Sequence, residues 1–154
     1  MPRLESPETD THRIVRARLT DFAMLAWRLG ADGRVLEPPT ARGVLATWLC
    51  NQRLIATLES VVGEAAESES IGRRTLAPGC EVLLFPVRIR RRVSEWTAAM
   101  FLTPEVLGSE FFADGCTRVH VDPVAAAKAV RPIATFSEHE IARLEGLLPA
   151  MVRD

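Results

Sequence analysis

The stretch Cys80–Thr103 reads CEVLLFPVRIRRRVSEWTAAMFLT. On its first arm Leu83, Phe85, Val87 and Ile89 share one face, and the other face turns polar at Arg88 and Arg90. On its second arm Trp96, Ala98, Met100 and Leu102 share a face, opposite Glu95 and Thr97. A period of two on both sides of Arg90–Arg92 predicts two strands and a connection, because successive side chains of a strand point to opposite faces. The arginines then occupy a solvated turn and a strand end. Glu95 is placed to face one of them across the ladder, worth roughly 0.2–1 kcal/mol. A second alternation runs through FAMLAWRLGADGRVLEPP, where Met24, Ala26 and Arg28 alternate with Leu25, Trp27 and Leu29. Ala31-Asp32-Gly33 is turn chemistry, so a hairpin is predicted over 22–29 and 33–37, closed by Pro38-Pro39.

Between and after the hairpins the apolar period lengthens to that of a helix. Thr40 is the expected N-cap of one long helix over 40–63, with Val44, Leu45, Trp48, Leu49, Leu54, Ile55, Leu58, Val61 and Val62 as its stripe. GEAAESESIG then reads as a fraying end and a loop. Thr103-Pro104-Glu105 predicts a helix start, with threonine as cap and proline in the first turn, running through Phe111 and Phe112 to Asp114-Gly115. Asp122-Pro123 starts an alanine-rich helix to about Val130. Ser137 and Glu140 form a capping box for a last helix with Ile141, Leu144, Leu147 and Leu148 as its stripe. Near the N-terminus, Ile14, Val15 and Leu19 give a weak helical stripe over 10–20, and residues 1–9 read as a frayed polar end.

The order is helix, hairpin, long helix, connecting segment, hairpin, helices. This predicts an α+β domain with a single antiparallel sheet of four to five strands and flanking helices. At 154 residues the chain fits one domain over 10–154, with a helical C-terminal tail over about 104–154, and can bury a core without disulfides or metal. Its net charge of −1 offers no overall field for a polyanion or an acidic membrane, so no nucleic acid and no membrane are expected as partners. Cys50, Cys80 and Cys116 are isolated and odd in number, and the polar N-terminus has no apolar leader segment. Both point to a cytoplasmic protein.

Two stretches resemble a known group of domains. LAWRLGADGRVLEP is similar to the first hairpin of PAS and GAF sensory domains, in which an Asp-Gly turn joins two strands. PGCEVLLFPVRIRRRVSEWTAAMFLTPE resembles the closing strands of GAF-type and PocR-type ligand-sensing domains. The resemblance spans roughly Phe22 to Glu105. It implies a bacterial signal-input domain that holds a small ligand, dimerises, and passes a signal through a terminal helix to an effector. One departure is Ser94-Glu95-Trp96, where GAF-type domains often carry glycine. The large Trp96 there fills part of the space a ligand would use.

The candidate ligand-binding residues are Trp27, Phe85, Arg88, Trp96 and Met100, large or cationic side chains on the predicted strands. Each is also an ordinary core or surface residue at its period. The arginine cluster lacks a glycine-rich phosphate cradle and interleaved aromatics, and charge runs are most often solvated. Cys116 and His120 supply only half of a zinc ligand set, so no metal site is expected. His12, His120 and His139 are scattered, without a nucleophile elbow or catalytic triad pattern, so no catalytic residue is assigned and no enzyme is expected. No cofactor is indicated. The chain ends inside an amphipathic helix, which predicts continuation into a signalling helix or effector. The competing expectation is a ligandless homodimerisation or protein-interaction module, distinguished by volume: a sensor needs a cavity of roughly 300 Å3 or more beneath the sheet, whereas such a module can be solid there.

Overall fold

A computed structural model describes residues 25–68 and 72–151. The expected helix over 10–20 and the first residues of the first hairpin lie outside them. Five strands form one antiparallel sheet: β1 (Leu25–Gly30), β2 (Val35–Glu37), β3 (Gly72–Ala77), β4 (Cys80–Ile89) and β5 (Arg92–Leu102), in the order β2-β1-β5-β4-β3. Both expected hairpins are present. The first strand sits beside the last, with Trp27 opposite Ala98 and Leu29 opposite Trp96. The fold is α+β.

The connecting segment contributes β3, an edge strand whose GRRTLA carries too little alternation to read as one. Beyond Val87–Glu95 the β4–β5 ladder slips, because Val93 answers Arg88. Ser94 is the extra residue, and its hydroxyl donates to the Val87 carbonyl at 3.2 Å. Such a bulge sharpens the local twist of the ribbon. Glu95, opposite Val87, takes a two-pronged bond from Arg28 on β1, at 2.6 and 3.2 Å.

The helices differ from expectation in two places. The long helix is two: α1 (Gly43–Leu49) and α2 (Gln52–Ser68). Asn51 breaks it, since its amide donates to the Trp48 carbonyl (2.6 Å) while its oxygen caps the Leu54 N–H (2.9 Å). A short side chain that satisfies the backbone on both sides outcompetes continuation of the helix. Thr40 caps nothing among the described residues. Thr103 also makes no side-chain cap, and Pro104–Gly108 is a 3-10 turn. The following helix, α3 (Glu110–Arg118), is capped by Ser109 and runs through Asp114-Gly115 instead of ending there. Then come α4 (Pro123–Val130), capped by Asp122, and α5 (Glu138–Met151). The Ser137–Glu140 capping box is in place, with reciprocal bonds of 3.0 and 3.2 Å.

Each face of the sheet carries its own core. On one, Trp27, Leu29, Val82, Leu84, Trp96, Ala98, Met100 and Leu102 cluster with Leu54, Leu58, Val62 and Ala65 of α2 and with residues of α1, α3 and α4. On the other, Ala26, Leu83, Phe85, Ala99 and Phe101 cluster with Phe136 and with Ile141 and Leu144 of α5. α2 is held against the first hairpin by close backbone approach. A Cβ on Gly33 (φ 92°) would lie 2.8 Å from the Gly63 nitrogen, so glycine is required there.

Candidate functional site

The turn between β3 and β4, Pro78-Gly79, packs on the 3-10 segment so tightly that a Cβ on Gly79 would lie 2.3 Å from the Val106 nitrogen. Gly79 has φ 79°, which suits the position after proline in a type II turn. The Thr103 N–H donates to its carbonyl at 2.9 Å. Ser109 joins the 3-10 segment to α3: its hydroxyl donates to the Val106 carbonyl (2.7 Å) and accepts from the Phe112 N–H (3.1 Å). These fixed pieces and the first two turns of α2 enclose an open groove of about 440 Å3.

Its lining carries both charges beside apolar residues. Leu76, Ala77, Pro78 and Phe111 supply apolar surface, and Arg53, Thr57, Ser109, Glu105 and Glu110 supply polar groups. The Arg53 guanidinium lies 5.6 Å from the centroid of the Phe111 ring and 3.4 Å from Asp114. Asp114 also accepts from Arg118 at 2.6 Å. That bond and the pairing with Arg53 hold its carboxyl below the ordinary carboxylate range. Glu105 and Glu110 are exposed and have no ion-pair partner among the described residues. The groove therefore presents two uncompensated carboxylates beside a cation already paired, which suits a ligand with a cationic end.

β3 links the groove to α5. Leu76 and Ala77 line the groove at one end of the strand, and Arg73 at the other end bonds both Glu81 and Glu138. Its two terminal nitrogens reach the two Glu138 oxygens at 2.8 Å each, a fork that fixes the first turn of α5. The same bond lowers the Glu138 carboxyl below its usual range.

The candidate residues read from the sequence do not form one site. Trp27, Trp96 and Met100 share the face under α2 and are wholly buried. Phe85 is buried on the opposite face with α5. Arg88 lies near the end of the β4–β5 ribbon, exposed, with a bond to the Arg91 carbonyl at 3.3 Å. The indole N–H groups of Trp27 and Trp96 are buried without an acceptor among the described residues. That of Trp48, in α1, donates to the Phe112 carbonyl at 3.2 Å. The groove residues come from three separated segments, and no spacing in the chain joins Arg53 to Glu105 or Glu110.

Cys116 is buried, and His120 has φ 56° as the left-handed residue that closes α3. The Val121 and His120 amides bond back to the Cys116 and Thr117 carbonyls, the double closure of a Schellman turn. Among the described residues no three of His, Cys, Asp and Glu come together as a metal site. Burial pushes the Cys80 thiol up to about 12 and raises that of Cys116. Among the described residues no helix is long and apolar enough to cross a membrane. Neither a family model, nor a curated protein, nor a solved structure matches the chain.

Proposed function

We propose that this chain is a non-catalytic signal-input domain of the PAS/GAF/PocR-like kind, with the groove as its input and α5 as its output. The observation that carries the reading is the shared strand: β3 walls the groove with Leu76 and Ala77 and grips α5 through Arg73. The volume beneath the sheet is filled by Trp27, Trp96 and Met100, so the ligand is placed in the groove instead. At about 440 Å3 the groove exceeds the roughly 300 Å3 at which small-molecule sites begin.

A small ligand with a cationic end pairs with Glu105 and Glu110 and rests on Phe111 and Pro78. Ligand that prefers one setting of β3 shifts the balance between gripped and released α5, and it does so only by its difference in affinity for the two. The solid core equally favours the second reading, a ligandless interaction module.

Native mass spectrometry of the freshly purified protein, followed by hydrogen exchange with a panel of small amines and amino acids, separates the two. The input reading expects a ligand whose binding is weakened by Glu105→Gln/Glu110→Gln and which changes exchange in α5. Binding that leaves α5 exchange unaltered, or that ignores the two substitutions, sinks it.

A further inference from the structure

The β4–β5 turn holds two residues unsuited to it. Arg90 and Arg91 have φ of 52° and 71°, the left-handed values that a two-residue type I′ turn requires and that Asn-Gly adopts most readily. Arg90, Arg91 and Arg92 are exposed, and none of them has an acidic partner among the described residues. Elsewhere, Arg28, Arg53, Arg73 and Arg118 each pair with a carboxylate. β1 stops pairing at Gly30–Glu95, so the ribbon from Val87 to Ser94 projects beyond this neighbour. Its cross-strand pairs are Arg88 with Val93 and Ile89 with Arg92. One arginine and one β-branched side chain thus stand together in each pair. The tip is cationic with aliphatic flanks.

The groove is its complement, with two unpaired carboxylates over Leu76, Pro78 and Phe111. Groove and tip lie at opposite ends of β4, whose ten residues span about 30 Å at ~3.3 Å each. A tip therefore does not reach the groove of its own chain. Two copies laid antiparallel present each tip to the other's groove, and this reciprocal contact closes on itself as a twofold dimer.

We propose that the groove receives the arginine tip of a second copy of this chain, through Arg90–Arg92 against Glu105 and Glu110. The proposal rests on the groove being the input site and names a protein ligand for it. The left-handed arginines are then kept for the contact they make, at the expense of an easier turn. The mixed aliphatic and cationic surface, without aromatic side chains for base stacking, favours a protein surface over nucleic acid.

Sedimentation of four chains tests this: the wild type, a tip variant Arg90→Asp/Arg91→Asp, a groove variant Glu105→Arg/Glu110→Arg, and a turn-optimised variant Arg90→Asn/Arg91→Gly. The wild type should be a dimer at low salt that dissociates as salt rises. The tip and groove variants should each be monomeric, and their equimolar mixture should dimerise, because both contacts are restored in the mixed pair. The turn-optimised variant should melt at a higher temperature yet remain monomeric, which a folding defect cannot imitate. A monomeric wild type at low salt, a dimer indifferent to either swap, growth into longer polymers, or a mixture that stays monomeric overturns the proposal. Binding of a DNA duplex by the wild type but not by the tip variant, with no dimer, overturns it in favour of nucleic acid. Argininamide that stabilises the monomeric tip variant against heat, but not the groove variant, keeps the groove as an input site even where the dimer fails.

Discussion

On one face of the sheet, Leu54, Leu58, Val62 and Ala65 of α2 press onto Trp27, Leu29, Leu84, Trp96 and Met100, with three further helices around them. On the other, α5 lays Ile141 and Leu144 over Leu83, Phe85 and Phe101, and adds the fork from Arg73 to Glu138. Each large side chain fully buried is worth about 1.5–3 kcal/mol, so the first face is held many times over. Among the described residues, the second face is held by Phe136, Ile141 and Leu144 and by a partly exposed ion pair. An element fixed by many contacts moves only when the domain unfolds. One fixed by few can detach alone.

The largest test of this contrast is truncation on each face. Leu58→Ala, under the sheet, should cost about 2–5 kcal/mol and lower the urea midpoint of the entire domain. Ile141→Ala removes a comparable side chain, but its main effect should be fast hydrogen exchange confined to α5, with the midpoint lowered less than by Leu58→Ala. Equal global losses would dissolve the distinction. Within the helix-covered face, Trp48→Phe should be costlier than Trp96→Phe by about 0.5–1.5 kcal/mol. The first removes the buried bond from the indole to the Phe112 carbonyl, whereas the second removes a donor that has no acceptor among the described residues.

Smaller effects bear on the fork. Arg73→Ala should speed exchange in α5 by up to about fivefold, the scale of an exposed ion pair, and leave the Trp-lined core unchanged. Acid should act in the same direction. Glu138 titrates below its ordinary value when α5 is docked, so its contribution is complete above that ordinary value, near ~4.3. It is lost as pH falls through the lowered one. Exchange in α5 that is flat across this window would assign the helix to its apolar contacts alone.

Much of the scaffold was legible because its signals are local. The alternation around Arg90–Arg92 and the Asp32-Gly33 turn announce both hairpins, and Ser137 with Glu140 announces α5. Asn51 sits inside an apolar stripe that satisfies helix periodicity on both sides, so nothing in the pattern shows that its side chain caps the second half. β3 escaped because an edge strand half-buried along most of its length needs no strict alternation. Of the candidate ligand residues, Trp27, Trp96 and Met100 share a face and Phe85 does not. The Ser94 bulge shifts the β4–β5 register so that Phe85 stands opposite Thr97 instead of Trp96, and no local pattern announces that slip. The groove is the least legible part, since Arg53, Pro78 and Glu110 meet only after the 3-10 segment has folded against Gly79.

The distribution of aromatic residues has an optical consequence. The chain has three tryptophans and no tyrosine, and Trp27, Trp48 and Trp96 all belong to the helix-covered cluster. Among the described residues, the aromatic side chains of the α5 face are the phenylalanines Phe85, Phe101 and Phe136. Intrinsic emission therefore reports collapse of the main core and stays almost dark to release of α5. A protein that has let go of α5 would still glow as a folded one.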